Sequence, residues 1–247
     1  AGKLWVSHSG YVSAFNTNNS EVYTYEISSN NVQAICANPS GSSIYVTTVG
    51  DGMIYEITPG VGVVNTATTS ADTLLQCVSD GNSVFASSEG SVFALAADLS
   101  SSQSASCNDC FGVAFAPTVN RYFVVSTGDS SLFSYDAASV LSYNSDCWED
   151  FCTYDSVLTG GSNPWTLAFA GGFLWVGDRD SRDIEKYSTT LSWEDQIYLE
   201  DTVWQMTSGM NSLWVSLRSG NGRVAAIGLT NLNLSYHRVP CNNADTL

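Results

Sequence analysis

The feature that most constrains this chain is an internal repeat. Three segments are nearly identical, namely Leu4-Trp5-Val6-Ser7, Leu174-Trp175-Val176-Gly177 and Leu213-Trp214-Val215-Ser216, and three more segments fit the same frame. The aromatic residues that align in this frame are spaced by 40, 40, 38, 52 and 39 residues: Trp5, Tyr45, Phe85, Phe123, Trp175 and Trp214. Self-similarity at such a period indicates a repeat architecture. The chain therefore consists of six units.

Each unit contains four strand-like segments. A second apolar segment follows each aligned aromatic residue, and the links between the two are turn sequences such as Gly50-Asp51-Gly52 and Gly220-Asn221-Gly222, which favour tight hairpins. From the second unit on, a further apolar run precedes the aromatic residue, and a more polar stretch ends the unit. No segment has helical periodicity. Six units of four strands predict an all-β fold, a six-bladed β-propeller with four-stranded antiparallel blades.

The repeat also sets the blade boundaries within a single domain spanning residues 1–247. The blades cover residues 1–29 together with the C-terminal tail, then 30–70, 71–106, 107–160, 161–200 and 201–240. The first unit lacks its innermost strand. The tail 243–247 contains the same Ala-Asp-Thr-Leu sequence as residues 71–74, which open the inner strand of the third unit. We therefore expect the tail to supply the missing strand and close the ring; otherwise the chain is part of a longer protein.

Two of the units resemble known propeller repeats. Ile44-Tyr45-Val46-Thr47-Thr48, followed by Gly52-Met53-Ile54-Tyr55-Glu56-Ile57, resembles the repeats of YVTN, NHL and gluconolactonase-type propellers. Gly90-Ser91-Val92-Phe93-Ala94-Leu95 resembles a quinoprotein repeat. The Trp-Asp dipeptide of WD repeats and the Trp-docking motif of quinoproteins are absent. The resemblance covers the chain as blades, and it implies the fold rather than an activity.

Charge and composition restrict the partners. The chain has 8 Lys and Arg against 24 Asp and Glu, a net charge of -16, so neither nucleic acid nor an anionic membrane surface is expected to bind it. No apolar run reaches the roughly 18 residues of a transmembrane helix. Seven cysteines fit an oxidising compartment, and the sequons at Asn18 and Asn233 fit glycosylation. Because the chain also begins at Ala1 rather than Met, we expect a secreted protein with a processed N-terminus.

Two cysteines fall on the inner strands of successive units. Cys36 and Cys77 align with positions that hold large apolar residues in the later units, namely Phe115, Leu167 and Met206. This alignment favours two buried thiols that act as small apolar side chains. A bridge between adjacent blades is the alternative, because inner strands can approach within the roughly 7 Å limit for the Cα atoms of a disulfide.

The other five cysteines predict structural bridges. Cys107 and Cys110 have CxxC spacing, for which a bridge between the two is favoured over zinc or redox chemistry because no second CxxC accompanies them. Cys147 and Cys152 lie in an insertion of the fourth unit, where we expect them to pair and staple a protruding loop. Cys241 is then left to join the tail to a neighbouring blade or to another chain.

The seven tryptophans fall into two groups. Five share repeated registers and are interpreted as core, with sugar stacking as the alternative: Trp5, Trp165, Trp175, Trp204 and Trp214. The other two lie outside these registers and predict an exposed ligand-binding surface. Trp148 is followed by Glu149, Asp150 and Phe151 inside the Cys147–Cys152 insertion, and Trp193 lies at the start of an outer, polar stretch.

Carboxylates concentrate on loops that should open on one face of the propeller: Asp51, Asp72, Glu89, Asp109, Asp129, Asp178, Asp180, Asp183, Glu200 and Asp201. Such a face attracts cations or basic partners. In the densest run, the alternating Asp178, Asp180 and Asp183 resemble a calcium loop, because Ca²⁺ takes six to eight oxygen ligands. The interspersed Arg179 and Arg182 favour an ion-paired loop instead. Calcium is the one cofactor that the sequence suggests.

The sequence favours binding over catalysis. His8 lies on the turn after Trp5 and His237 on the last, outer strand, at different distances from the propeller axis, so no His dyad or Ser-His-Asp arrangement is expected. No HExxH, GxSxG or Gly-rich phosphate loop is present. We expect the acidic loop face and the insertion to bind a glycan, a protein or copies of the chain itself, the last in a purely structural assembly. The alternative is a calcium-dependent lactonase or related hydrolase of the gluconolactonase type. That enzyme needs carboxylates converging on a central metal, for which Asp51, Glu89 and Asp129 are available.

Overall fold

The computed structural model describes residues 3–8, 10–16, 21–27, 31–138, 140–141, 155–218 and 223–238. All regular secondary structure in these ranges is β-strand, and they contain no helix that is long and apolar enough to cross a membrane. The strands form six sheets of consecutive antiparallel strands, which are the blades of a β-propeller. The predicted fold class is confirmed. By its internal contacts the chain divides into two compact structural units, each of which contains three of the six blades; from here on, a unit means one of these two.

The first unit comprises Ala1–Cys107 and Ala137–Phe151. It contains one three-stranded sheet, β1-β2-β3, and two four-stranded sheets, β4-β5-β6-β7 and β8-β9-β10-β11. The strands are β1 Leu4–His8, β2 Tyr11–Phe15, β3 Glu21–Glu26, β4 Val32–Ala37, β5 Ile44–Thr48, β6 Met53–Thr58, β7 Gly62–Thr68, β8 Gln76–Ser79, β9 Ser83–Ser87, β10 Ser91–Ala96 and β11 Ser102–Ser106. The fourth strand predicted for the first blade falls on the tail 243–247, outside the described residues.

The second unit comprises Asn108–Asp136 and Cys152–Leu247. It contains three four-stranded sheets, β12-β13-β14-β15, β16-β17-β18-β19 and β20-β21-β22-β23. The strands are β12 Cys110–Ala116, β13 Arg121–Ser126, β14 Ser131–Asp136, β15 Asp155–Leu158, β16 Pro164–Ala170, β17 Phe173–Asp178, β18 Asp183–Tyr187, β19 Trp193–Tyr198, β20 Val203–Gly209, β21 Ser212–Leu217, β22 Arg223–Gly228 and β23 Leu234–Arg238.

Within each unit the core lies between successive sheets. Strands β5 and β9 are buried along their whole length, whereas the outermost strands β7 and β11 are mostly exposed. Because the second strand of a blade is covered on both faces, it consists almost entirely of apolar and small residues and lacks the alternation of apolar and polar residues. The aligned aromatic residues of these second strands are buried at four positions: Tyr45, Phe85, Phe123 and Trp175. Packing between sheets therefore explains the repeat.

The interpretation of Cys36 and Cys77 as free thiols is wrong. The two residues form a disulfide between the sheets of β4 and β8, with Cα atoms 5.7 Å apart. Cys36 lies opposite Tyr45 on β5, but Cys77 lies opposite Ala86, the residue after the aligned Phe85. The cysteines are thus one position apart in the repeat, and successive side chains of a strand point to opposite faces. This offset lets the two side chains meet between adjacent sheets.

The remaining cysteine predictions have different outcomes. Cys107 and Cys110 are both in disulfide form, and their pairing with each other stays a prediction. Cys147, Cys152 and Cys241 lie outside the described residues. Disulfide bonds fit an oxidising, extracellular environment.

Candidate functional site

The inner strand β16 presents an aromatic side chain at a β-bulge. Pro164 lies opposite Asp178, and Thr166 lies opposite Gly177, so Trp165 is the extra residue between two consecutive ladder pairs. A bulged residue is left out of the ladder and its side chain is re-aimed. Pro164 suits the first position of such a strand because it has no N–H to contribute.

The neighbouring inner strands repeat this feature. Trp204 is the extra residue of the equivalent bulge in β20, and Phe111 lies in the register shift at the start of β12. Gly112 follows Phe111, and a Cβ atom there would lie 2.5 Å from the backbone nitrogen of Leu167. The backbones of β12 and β16 therefore approach too closely for any residue but glycine. This close approach brings Phe111 against Trp165.

The three aromatic rings form a row. The ring centres of Phe111 and Trp165 lie 3.9 Å apart with planes inclined by 27°, and those of Trp165 and Trp204 lie 5.8 Å apart at 33°. All three side chains are partly exposed. The interpretation of Trp165 and Trp204 as core is therefore wrong, because their bulges turn both indoles out of the ladder. Trp175, by contrast, is buried as predicted, at 1% exposure.

Two arginines lie over these indoles. The guanidinium carbon of Arg179 lies 4.2 Å from the ring centre of Trp165 and 5.3 Å from that of Trp204, and that of Arg218 lies 5.3 Å from Trp204. Cation–π attraction holds each guanidinium over its ring. Within the described ranges, no hydrogen bond or ion pair engages either guanidinium group. We call Phe111, Trp165, Trp204, Arg179 and Arg218 the aromatic–arginine patch.

The charge of the two arginines is not balanced locally. Burial, followed by the like charge of Arg218, lowers the pKa of Arg179, and the nearby Asp180 offsets only part of this effect. An arginine nevertheless stays protonated in a protein. The patch therefore carries two neighbouring positive charges on a chain whose net charge is -16.

The turn between β17 and β18 fixes the position of Arg179. The carboxylate of Asp178 is buried and accepts hydrogen bonds from the backbone N–H groups of Asn163, Asp180 and Ser181 at 2.8, 2.8 and 2.9 Å. The N–H of Arg179 in turn donates to the carbonyl oxygen of Asn163 at 3.0 Å. Asp178 therefore organises the turn that delivers Arg179 to the indoles.

Each of the carboxylates predicted to bind calcium accepts hydrogen bonds from the protein. Beyond the backbone bonds of Asp178, Asp180 accepts from a side-chain amide of Asn163 at 2.9 Å, and the buried Asp183 accepts from the amide of Gln196. Across the described residues, no group of three or more His, Cys, Asp or Glu side chains is arranged to hold a metal ion. Calcium binding by these three residues stays a prediction.

Part of the predicted acidic loop surface is neutralised within the second unit. Asp178 and Asp183 are buried, and Arg223 lies 2.5 Å from Glu200 and 3.9 Å from Asp201. In the first unit the corresponding carboxylates are exposed: Asp51, Asp72 and Glu89. The loops of the second unit thus present arginines beside their carboxylates, which the count of acidic residues did not reveal.

The other predicted binding residues lie elsewhere. Trp193 is 58% exposed and opens β19 opposite Tyr187, whereas the Asp178 and Asp183 end of the same sheet pairs with the last residue of β19, Tyr198. Trp193 and the patch therefore lie at opposite ends of this sheet. The residues of the insertion, Trp148, Glu149, Asp150 and Phe151, lie outside the described residues, as does Asn18. Asn233 is exposed, and its glycosylation stays a prediction.

The patch also has a signal in the sequence. Trp165 precedes the aligned Trp175 by ten residues, and Arg179 follows it by four; Trp204 and Arg218 stand at the same distances from Trp214. In the other four blades, the position equivalent to Arg179 is occupied by Ser9, Val49, Glu89 and Thr127. This pairing of a Trp with an Arg occurs in only two of the six blades, so packing that is common to all blades does not explain it.

A buried glutamate lies in the middle of β18, in the same sheet. Glu185 is 4% exposed, and its carboxylate accepts hydrogen bonds from the hydroxyl of Tyr187 at 2.7 Å and from the N–H of Gly160 at 3.1 Å. Desolvation by burial raises the pKa of Glu185, the two hydrogen bonds oppose this shift, and the charges of Asp183 and Asp178 add to it. The same burial raises the pKa of Tyr187, which therefore donates as a neutral phenol.

This shift predicts a pH-dependent stability difference. A raised pKa in the folded protein means that ionised Glu185 disfavours folding, so its unfavourable contribution grows as pH rises from the ordinary glutamate pKa through the raised one. We expect Glu185→Gln to stabilise the protein relative to wild type more at about pH 7 than at about pH 4. Thermal unfolding at both pH values measures this, with Glu194→Gln, which removes an exposed carboxylate from β19, as control. An equal difference at both pH values would contradict the prediction.

Comparison with known proteins identifies the fold. No family model and no curated protein sequence matches the chain. Among solved structures, virginiamycin B lyase from Staphylococcus aureus superposes with a TM-score of 0.77 and 11% sequence identity, over 99% of this chain and 83% of the lyase chain. A chain of the nidogen/laminin complex superposes with a TM-score of 0.73 and 10% identity, over 96% of this chain and 93% of that chain. At such identities the similarity establishes a six-bladed β-propeller and leaves function to the site.

Proposed function

We propose that the protein is a secreted, non-catalytic propeller that binds a glycan through the aromatic–arginine patch. The observation that carries this proposal is the row of three partly exposed rings, Phe111, Trp165 and Trp204, with two guanidinium groups held over it. Aromatic rings offer the apolar edges and faces on which sugar C–H groups pack, and arginines supply directional donors.

The size of the patch favours a small ligand. A protein–protein interface of standard size involves about 20–30 residues on each side, far more than the five side chains that form the patch. A sugar of one or two rings matches it better. Among the neighbours in fold, one takes its name from a lyase reaction and one belongs to a protein complex, so the fold accommodates either kind of activity.

The insertion that contains Cys147 and Cys152 remains part of the proposal as a second contact. Its residues Trp148 and Phe151 offer aromatic rings of their own to a glycan, and this role has a separate test. Replacing residues 143–152 by a short turn should weaken glycan binding without abolishing it. If this variant binds as tightly as wild type, the insertion does not contact the glycan.

Substitution of the indoles tests the proposal. Wild type is first screened on an array of neutral and acidic glycans. Tryptophans that form hot spots in a binding surface contribute more than about 1 kcal/mol each. We therefore expect Trp165→Ala/Trp204→Ala to weaken binding of the glycans that wild type binds by at least about tenfold. Trp193→Ala is the matched control, since it removes an exposed indole from the far end of the same sheet as Trp165.

Three outcomes count against the proposal. Wild type that binds no glycan on the array contradicts it, and so does undiminished binding by the double variant. An equal loss in the Trp193→Ala control places binding elsewhere. Sedimentation velocity of wild type and the double variant shows whether the patch instead mediates contact between copies of the chain.

A further inference from the structure

We propose that Arg179 and Arg218 form a subsite for the carboxylate of an acidic sugar. This inference rests on the proposed function, since it names the ligand class of the same patch. Both guanidinium carbons lie 5.3 Å from the ring centre of Trp204, so the two groups are separated by at most twice that distance. In the proposed complex the sugar carboxylate lies between the two groups and accepts hydrogen bonds from both.

The two guanidinium groups have donors to spare. Each arginine offers five N–H donors in a planar fork that matches a carboxylate. In the part of the chain that the structure describes, neither fork is paired with any hydrogen-bond acceptor or carboxylate. Contact with the indoles restricts the arginine side chains before the ligand binds. Ordering these side chains on binding therefore costs less conformational entropy.

The carboxylates around the patch are engaged elsewhere. Asp178 accepts from three backbone N–H groups, Asp180 accepts from Asn163, and Glu200 and Asp201 lie beside Arg223. None of them forms an ion pair with Arg179 or Arg218. Among the described residues, no carboxylate forms an ion pair with either arginine, and an anionic ligand would stabilise two such like charges.

The charge of the whole chain narrows the ligand class. At a net charge of -16, an extended polyanion or a broadly acidic protein surface is repelled once it extends beyond the patch. A short saccharide with a single carboxylate meets mainly the local field of the two arginines, because charges beyond about 10 Å are screened at physiological salt. The partly exposed indoles of Trp165 and Trp204 lie beside the two guanidinium groups, so the rest of the sugar would contact their exposed parts.

The test compares two ligands that share the same sugar rings, only one of which has a carboxylate. The probes are a disaccharide that ends in glucuronic acid and its methyl ester, which has the same rings but no carboxylate, titrated calorimetrically. Because a hydrogen bond to a charged group contributes more than a neutral one, we expect wild type to bind the acid at least about tenfold more tightly than the ester. A sulfated disaccharide in a third titration shows whether the subsite prefers the planar carboxylate.

Three variants assign the effect to the subsite. Arg218→Gln, at an exposed position, should remove most of the preference for the acid, because it weakens binding of the acid far more than binding of the ester. Arg179→Lys keeps the charge but loses the fork, and it should reduce the preference in part. Arg182→Gln removes an exposed charge from the same turn, and it should change neither affinity by more than about twofold, because an exposed charge away from the subsite is screened.

The outcomes separate this inference from the proposed function. Equal affinity for acid and ester, an equal effect of Arg182→Gln and Arg218→Gln, or tighter binding of the sulfated probe than of the acid would overturn the carboxylate subsite. If neutral glycans alone bind, and binding needs Trp165 and Trp204, the carboxylate subsite is wrong while the proposed function stands. If acid and ester both bind undiminished to Trp165→Ala/Trp204→Ala, the proposed function itself is wrong.

Discussion

Replacing Trp175 by alanine should lower the free energy of unfolding by about 3–5 kcal/mol, the range for truncating a large buried aromatic side chain. Trp175 is 1% exposed and lies in an apolar cluster between the sheets of β17 and β20. Its indole N–H also donates to the carbonyl oxygen of Ala170 at 3.0 Å. The substitution therefore leaves a cavity and removes this hydrogen bond.

Trp214 provides a matched control for this prediction. It occupies the same register one blade later, and its indole N–H donates to the carbonyl oxygen of Gly209 at 3.1 Å, again five residues earlier in the chain. Trp214 is partly exposed, however, so Trp214→Ala should cost clearly less, about 1–2 kcal/mol. Denaturant unfolding measures both values. An equal loss at the two positions would mean that burial between sheets is not what stabilises the repeat.

Loss of the Cys36–Cys77 disulfide should have an effect of similar size. The bridge spans a sequence separation of 41 residues, and the chain-entropy model gives about 4 kcal/mol for a loop of that length. We expect Cys36→Ser/Cys77→Ser to lower the free energy of unfolding by about 2–4 kcal/mol, since native bridges often contribute less than the model predicts.

Single substitutions distinguish a bridge from two free thiols. Because either Cys36→Ser or Cys77→Ser already breaks a bridge, each single variant should be nearly as destabilised as the double variant. Two independent buried thiols would instead give small losses that add. Additive losses in denaturant unfolding would contradict the disulfide.

The fold was predictable because it depends on features that every blade repeats. The aligned aromatic residues fill the space between sheets in four of the six blades, and the turn sequences mark the hairpins, so the period alone indicates blades. The sequence also contains the clue to the disulfide. Cys36 precedes Tyr45 by nine residues and Cys77 precedes Phe85 by eight, a difference of one that places the side chains on opposite faces of their strands.

The site was harder to predict because it depends on departures from the regular ladder. Trp165 and Trp204 look like core residues when β16 and β20 are assumed to pair without interruption. Each is the extra residue of a bulge, and a bulge does not follow from the alternation of apolar and polar residues. The stronger signal was the recurrence of Arg179 and Arg218 at one fixed distance after a tryptophan.

Total charge was also a poor guide to the local surface. The carboxylates of Asp178 and Asp183 look like solvent-exposed ligands in the sequence, but both are buried and hydrogen-bonded in the structure. A short polar side chain next to a turn commonly bonds to nearby backbone N–H groups in this way. Once these bonds are counted, the arginines decide what the patch attracts.

The central claim, that the aromatic–arginine patch is the ligand-binding surface, is tested most directly by the indole N–H signals of the seven tryptophans. In ¹⁵N-labelled protein, each signal is assigned with a Trp→Phe variant, and the glucuronic acid disaccharide is then titrated. We expect the signals of Trp165 and Trp204 to shift together as the ligand binds, while those of Trp175 and Trp193 stay in place. Shifts confined to Trp148 or Trp193 would contradict it.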